Sequence, residues 1–194
     1  MRRRQARSSI ALLALVAGCS AGEGGLGHPG VGAGPVKPLT LEFENFLDED
    51  VYIDWPGILP AIEVKRDAVT LMTDRGCIPY CGEGCECSTC TTPSRVRRIP
   101  AHETLSITWE PVHFAANTCN GSAECSCVES WPVTAGHYNL LLSGFTQAEG
   151  GTPTADNPNV LIGAKPGPRS RTCTARGEFD LVGGATVETK FICP

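Results

Sequence analysis

From Leu39 onward, apolar and polar residues alternate in short runs. Leu39, Leu41 and Phe43 alternate with Thr40, Glu42 and Glu44, and Val51, Ile53 and Trp55 with Tyr52 and Asp54. Leu105, Ile107 and Trp109 alternate with Ser106 and Thr108. A period of two turns one set of side chains toward a core and the other toward water, so each run predicts a half-buried strand. Tyr138, Leu140 and Leu142 mark another, and Val187, Thr189, Phe191 and Cys193 the last. Shorter candidates lie at 61–64, 68–72, 95–99, 160–163 and 177–182. No stretch long enough for a helix repeats its apolar residues at helical spacing. The pattern predicts an all-β, disulfide-rich, antiparallel β-sandwich of about seven to nine strands. The acidic stretch 45–50 reads as a hairpin turn, and 76–92 and 147–159 read as loops, the first rich in cysteine.

Residues 1–38 carry no such pattern. Arg2, Arg3, Arg4 and Arg7 precede an apolar run from Ile10 to Ala17, which is too short to cross roughly 30 Å of hydrocarbon. Leu15-Val16-Ala17-Gly18-Cys19 follows, and this order of charge, apolar run, small residues and cysteine resembles the lipobox of bacterial lipoproteins. The resemblance implies a signal peptide over 1–18, cleavage before Cys19 and a diacylglyceryl thioether on the Cys19 sulfur, with palmitate among the acyl chains. The lipid bilayer is then a partner, because several acyl chains anchor firmly where one does not. Ser20 at the next position implies the outer membrane, on its periplasmic or surface face. Residues 19–38, the lipidated cysteine and a Gly/Pro-rich tether, hold a single domain over 39–194 about 25 Å from the bilayer as a flexible coil.

Composition fits this picture. The chain of 194 residues is 41% apolar and 19% charged, within the range of globular proteins, and its 22 glycines and 15 prolines favour turns over helices. The formal net charge is −5, and loss of the four leader arginines takes it to −9. An acidic chain of this kind excludes nucleic-acid binding driven by bulk charge.

Cysteine count carries the strongest structural signal. Of the 11 cysteines, ten remain once Cys19 is set aside for the lipid: Cys77, Cys81, Cys85, Cys87, Cys90, Cys119, Cys125, Cys127, Cys173 and Cys193. An even number in an exported chain predicts disulfides. Clusters 77–90 and 119–127 each hold an odd number, so full pairing sends at least one bond out of each. Cys173 and Cys193 flank the final hairpin and are candidates to pair; if they do, an odd number of bonds joins the two clusters. Thiolate coordination of a metal is the alternative, since Cys87 and Cys90 have zinc-knuckle spacing.

Thr134-Ala135-Gly136-His137-Tyr138 places Gly-x-Tyr at the start of a strand. It resembles the tyrosine corner of Greek-key sandwiches, in which the hydroxyl bonds to upstream backbone. With Trp109, it is similar to an immunoglobulin-like sandwich, although the cysteine that usually follows two residues after the tyrosine is missing. The order of strand, Trp, loop and Gly-x-Tyr also resembles the immunoglobulin-like intracellular proteinase inhibitors of bacteria, which lack this cysteine content.

Chemical motifs are sparse. The chain has no H-E-x-x-H, G-x-S-x-G or phosphate-binding glycine loop, and His28, His102, His113 and His137 are far apart in sequence. Asp48, Asp50 and Asp54 offer oxygen ligands without EF-hand spacing. Arg95, Arg97 and Arg98 form the one basic run, a candidate anion or glycan site, and Trp55 and Trp131 precede prolines at strand ends where a ring can be exposed. The expectation is therefore a lipid-anchored structural or ligand-binding module, with no catalysis, no cofactor, no resident metal, and an unidentified protein or glycan partner. The alternatives are a protease-inhibitor-like domain acting through the braced loop 76–92 and a Cys-rich metal-binding protein.

Overall fold

The structure is a computed structural model that describes residues 37–82, 93–119, 125–181 and 185–194. Residues 1–36, which hold the expected signal peptide, Cys19 and most of the expected tether, lie outside the described residues, as do Cys85, Cys87 and Cys90. What is described is built from strands: β1 (Leu39–Glu44), β2 (Val51–Asp54), β3 (Ile62–Arg66), β4 (Val69–Leu71), β5 (Arg95–Ile99), β6 (Thr104–Trp109), β7 (Val112–Thr118), β8 (Ser126–Pro132) and β9 (His137–Phe145). They continue as β10 (Ala148–Glu149), β11 (Thr152–Pro153), β12 (Val160–Ile162), β13 (Lys165–Pro166), β14 (Thr172–Asp180) and β15 (Thr186–Ile192). No α-helix occurs among the described residues.

The alternating runs decide which strands form the core. β1 and β6 bury every second residue, and so does β15. Hydrogen bonding orders the main sheet as β11-β12-β5-β2-β9-β14-β15-β1-β6, with β3 beside β9 and β4 beside β3. β14 and β15 share only the pairs Thr174↔Ile192 and Ala175↔Phe191. The sheet folds over at this narrow junction, so β15, β1 and β6 form one layer and the strands from β14 to β11 the other. One apolar cluster fills the space between them, with Leu41, Phe43, Ile107, Trp109 and Phe191 from one side and Ile53, Val64, Tyr138, Leu142 and Phe179 from the other. Rings meet across this seam: Trp109 stands edge-on to Phe179 at 6.3 Å, and Phe179 stacks on Tyr138 at 5.7 Å.

The all-β sandwich class expected from the sequence is the fold, with three corrections of detail. Strands number fifteen among the described residues rather than seven to nine, because β7 and β8 show no regular apolar alternation and β10, β11 and β13 are two-residue pieces too short to show a period. The sheet is mixed: β1 runs parallel to β15 while the other strand pairs are antiparallel. The stretch 45–50 is no hairpin turn, since β1 pairs with β15 and β6 while β2 pairs with β5 and β9. It is a crossover between layers, pinned by Asn45. That side chain is fully buried, and its Nδ2 lies 2.9 Å from the Glu49 carbonyl and 3.0 Å from those of Ile99 and Pro100.

The tyrosine corner is present. The Tyr138 hydroxyl donates to the Thr134 carbonyl at 2.7 Å, and Arg66 covers the ring while its Nη1 donates to the Thr134 hydroxyl at 2.6 Å. Tyr138→Phe keeps the ring and deletes this bond. It is expected to lower stability by about 1 kcal/mol, the usual net contribution of one hydrogen bond. Urea unfolding reads this directly, and an unchanged midpoint would show that the bond contributes nothing. Gly144 in β9 serves close packing: a Cβ there would lie 2.9 Å from the Tyr52 carbonyl oxygen of β2.

A second, smaller core lies on the outer face. Tyr52 stacks on Phe145 at 5.8 Å, and Val96, Leu161, Ala148 and Ala164 close around them. The loop expected over 147–159 is thus partly strand, and the segments 148–149 and 160–164 pack against the sandwich.

Candidate functional site

β7 and β8 stand apart from the main sheet as a two-stranded ribbon, paired from Val112↔Pro132 to Thr118↔Ser126. The sequence does not betray them as strands because neither face of β7 is buried: its residues run from half-buried to exposed with no alternation. A ribbon without a covering layer has no period to show. Its order comes from sulfur and backbone bonds instead.

Cys81 is bonded to Cys127 across 46 residues. Around this bridge, the Val128 amide donates to the Pro79 carbonyl and the Cys81 amide to the Val128 carbonyl, each at 2.9 Å. Tyr80 forms a parallel bridge with Val128. Cys119, Cys125 and Cys127, with Cys81 against them, make a small sulfur-rich core at the ribbon's end. The Phe114 amide donates to the Met72 carbonyl at 2.9 Å and ties the ribbon's other end to the segment that follows β4. Cys77, Cys119 and Cys125 are also disulfide-bonded, and Cys173 is joined to Cys193 where the last two strands part. All seven described cysteines of the domain are thus disulfide sulfurs. None is a thiolate available to a metal, whereas the Cys87–Cys90 spacing lies outside the described residues.

The braced segment displays one surface. Tyr80 is 51% exposed, its ring centroid 6.3 Å from that of Phe114. The Arg75 guanidinium lies 4.6 Å from the Tyr80 ring centroid and is fixed by Nη1 donating to the Ile78 carbonyl at 2.6 Å. Asp74 shapes the turn beneath: its carboxylate accepts from the Gly76 amide at 2.8 Å and the Leu59 amide at 3.3 Å, and Gly76 takes a positive φ of 57°. Met72, 38% exposed, continues the patch. Residues 83–92, the rest of the loop singled out in the sequence, lie outside the described residues.

The other candidate residues fall elsewhere. Trp109 is buried in the main core, Trp55 packs half-buried against it, and Trp131 lies within β8. His102 sits in the turn between β5 and β6 with a positive φ of 61°, its Nε2 3.1 Å from Asp48. His137 is exposed between Asp180 at 3.1 Å and Glu178 at 3.6 Å. Burial pushes the His113 imidazole pKa below its usual value. No serine or threonine hydroxyl bonds to any of these rings among the described residues. Asp50 accepts from the Ala101 amide at 3.1 Å and faces Arg98 at 3.6 Å, so Asp48 and Asp50 serve separate contacts. No group of three potential metal ligands occurs among the described residues. A shallow groove of about 660 Å³ crosses the outer face of β3, β9 and β14, lined by Glu63, Lys65, Asn139, Leu141, Arg176 and Glu178. Its charges balance, and Lys65 is already paired with Glu63.

No family model, no curated protein and no solved structure matches this chain.

Proposed function

We propose that this protein is a lipid-anchored extracytoplasmic binding module, tethered through Cys19 at the outer membrane, which presents the braced ribbon to a protein partner. It acts without catalysis, cofactor or resident metal. The observation that supports this reading is the half-exposed Tyr80, held between Arg75 and Phe114 on a segment fixed by the Cys81–Cys127 bridge. Rigid aromatic and arginine side chains lose little entropy on docking and are the residue types that dominate protein interfaces.

A photo-crosslinking amino acid at position 80, in the cell that makes the protein, is expected to trap one discrete partner. Arg75→Ala together with Tyr80→Ala is expected to weaken capture of that partner by at least about 30-fold, since a residue of this kind contributes about 2 kcal/mol or more. Unchanged capture by the double variant sinks the reading. Cys19→Ser is expected to move the protein from the membrane to the soluble fraction, and membrane retention would remove the lipid anchor from it. One observation favours a second reading, a protease inhibitor acting through 76–92: the loop is tied down at Cys81. That reading requires stoichiometric slowing of a protease, lost when residues 83–90 are replaced.

A further inference from the structure

A second surface, separate from the ribbon, lies where the larger layer runs past the core. On β5, Ile99 turns into the main core, and Arg97 and Arg95 follow it on the same face at two-residue intervals. The register confirms the face: Arg97 lies opposite buried Ile53 on one side and Val160 on the other, and Arg95 opposite Ile162. Trp55, whose amide donates to the Arg95 carbonyl at 2.8 Å, has the same parity as Ile53 and shares that face. Val160, Ile162, Arg95 and Arg97 are all half-buried. The result is a ledge with apolar walls and two guanidinium groups.

These two arginines are treated differently from their neighbour. Arg98 points to the opposite face, where its Nη1 lies 3.6 Å from Asp50 and its Nε donates to Asn159 at 3.0 Å. Arg95 and Arg97 have no carboxylate partner among the described residues, although the chain holds 21 acidic residues. The Arg97 guanidinium is held 4.8 Å from the Trp55 ring centroid, which orients its fork without using its hydrogen-bond donors. The Arg95 Nε is sealed from solvent and has no acceptor. A buried donor without an acceptor is an uncommon feature, and it leaves this arginine's hydrogen-bonding capacity unspent within the chain. Two arginines whose backbone positions stand about 7 Å apart along one strand face can bring their forks to oxygens of a single anion or of adjacent anionic groups.

We propose that Arg95 and Arg97, steadied by Trp55, form a binding site for an oxyanion, either a phosphate- or sulfate-type group or a carboxylate. Fork-shaped donors recognise both anion shapes through paired N–H···O bonds. The apolar walls, Val160 and Ile162, favour an anion carried on a larger molecule such as an acidic sugar, whose ring they can touch. Arg97 shows that the ledge is partly desolvated, since burial lowers its pKa. Desolvation strengthens an ion pair formed there relative to one at the open surface.

The test is nuclear magnetic resonance of the arginine Nε–H groups in the purified full chain, titrated separately with inorganic phosphate and with glucuronate. Saturable shifts at Arg95 and Arg97 are expected, abolished in Arg97→Gln and retained in Arg98→Gln. Saturation with phosphate alone assigns the tetrahedral anion, and saturation with glucuronate assigns the carboxylate on a sugar. Shifts that stay linear in concentration for both probes, or persist in Arg97→Gln, overturn the site. Backbone amide shifts across β2, β5 and β12 report whether Arg97→Gln stays folded. If it does not, Trp55→Phe, which keeps an aromatic face under Arg97, is expected to weaken binding several-fold, and unchanged binding there overturns the clamp.

Discussion

Trp109→Ala is expected to lower the unfolding free energy by about 3–5 kcal/mol, the range for deleting a large aromatic side chain from a packed core. Trp109 is 1% exposed at the end of β6, and its ring meets Phe179 of the opposite layer. Phe179 in turn stacks on Tyr138, so the indole is the first member of an aromatic row joining the two layers. The layers share only two directly paired rows at the β14–β15 junction, closed by the Cys173–Cys193 bridge, so away from that edge side-chain packing holds them together. Alanine opens a cavity at that contact, and the neighbouring strands cannot collapse into it without breaking register. For a domain of this size the melting temperature is expected to fall by roughly 10 °C. Trp109→Phe should lose less than half as much, for a specific reason. The indole Nε1 is buried and has no hydrogen-bond partner, a donor whose desolvation costs about 1–3 kcal/mol, and phenylalanine removes it. Urea unfolding under non-reducing conditions checks both. A loss under about 1 kcal/mol for the alanine variant would contradict Trp109 as a joining residue.

The second large effect is expected at Cys81–Cys127. Cys81→Ala together with Cys127→Ala releases a loop closed across 46 residues and is expected to cost about 2–4 kcal/mol. The loss should be local. β7 and β8 pair with each other and with no strand of the main sheet, so the sandwich does not depend on them for its ladder. Hydrogen exchange is the measurement. Amides of Cys81 and Val128, which bond across the bridge, should lose protection, while those of β9 and β14 keep it. Protection lost equally everywhere would show that the ribbon and sandwich unfold as one unit. The same variant is expected to lose the partner trapped at Tyr80, because the patch no longer has a fixed shape.

How much of this was legible beforehand depends on whether a residue faces a core. Arg95–Ile99 reads as a strand and is β5, and a period of two already puts Arg95 and Arg97 on one face and Arg98 on the other, but the alternation could not reveal that the first face is shared with Trp55 or that Arg98 meets Asp50. Strand neighbours three segments apart in sequence decide that. The ribbon was illegible for the opposite reason. Its residues are nearly all half-buried or exposed, so nothing in their order distinguishes strand from loop. Gly-x-Tyr marked the tyrosine corner correctly, because the motif is local: donor and acceptor are four residues apart.

By itself, the sequence determined the all-β class, the buried faces of β1, β6, β9 and β15, the core role of Trp109, and disulfide bonding of the domain. Each follows from residue type and a period of two, which one chain segment carries alone. Only the tertiary structure decided the parallel pairing of β1 with β15, the crossover at Asn45, the joining of Cys81 to Cys127, and the companionship of Trp55 with Arg97. Those depend on which distant segments become neighbours. Main-chain hydrogen bonds and apolar burial drive that choice through the sum of many small terms, and no single segment holds it.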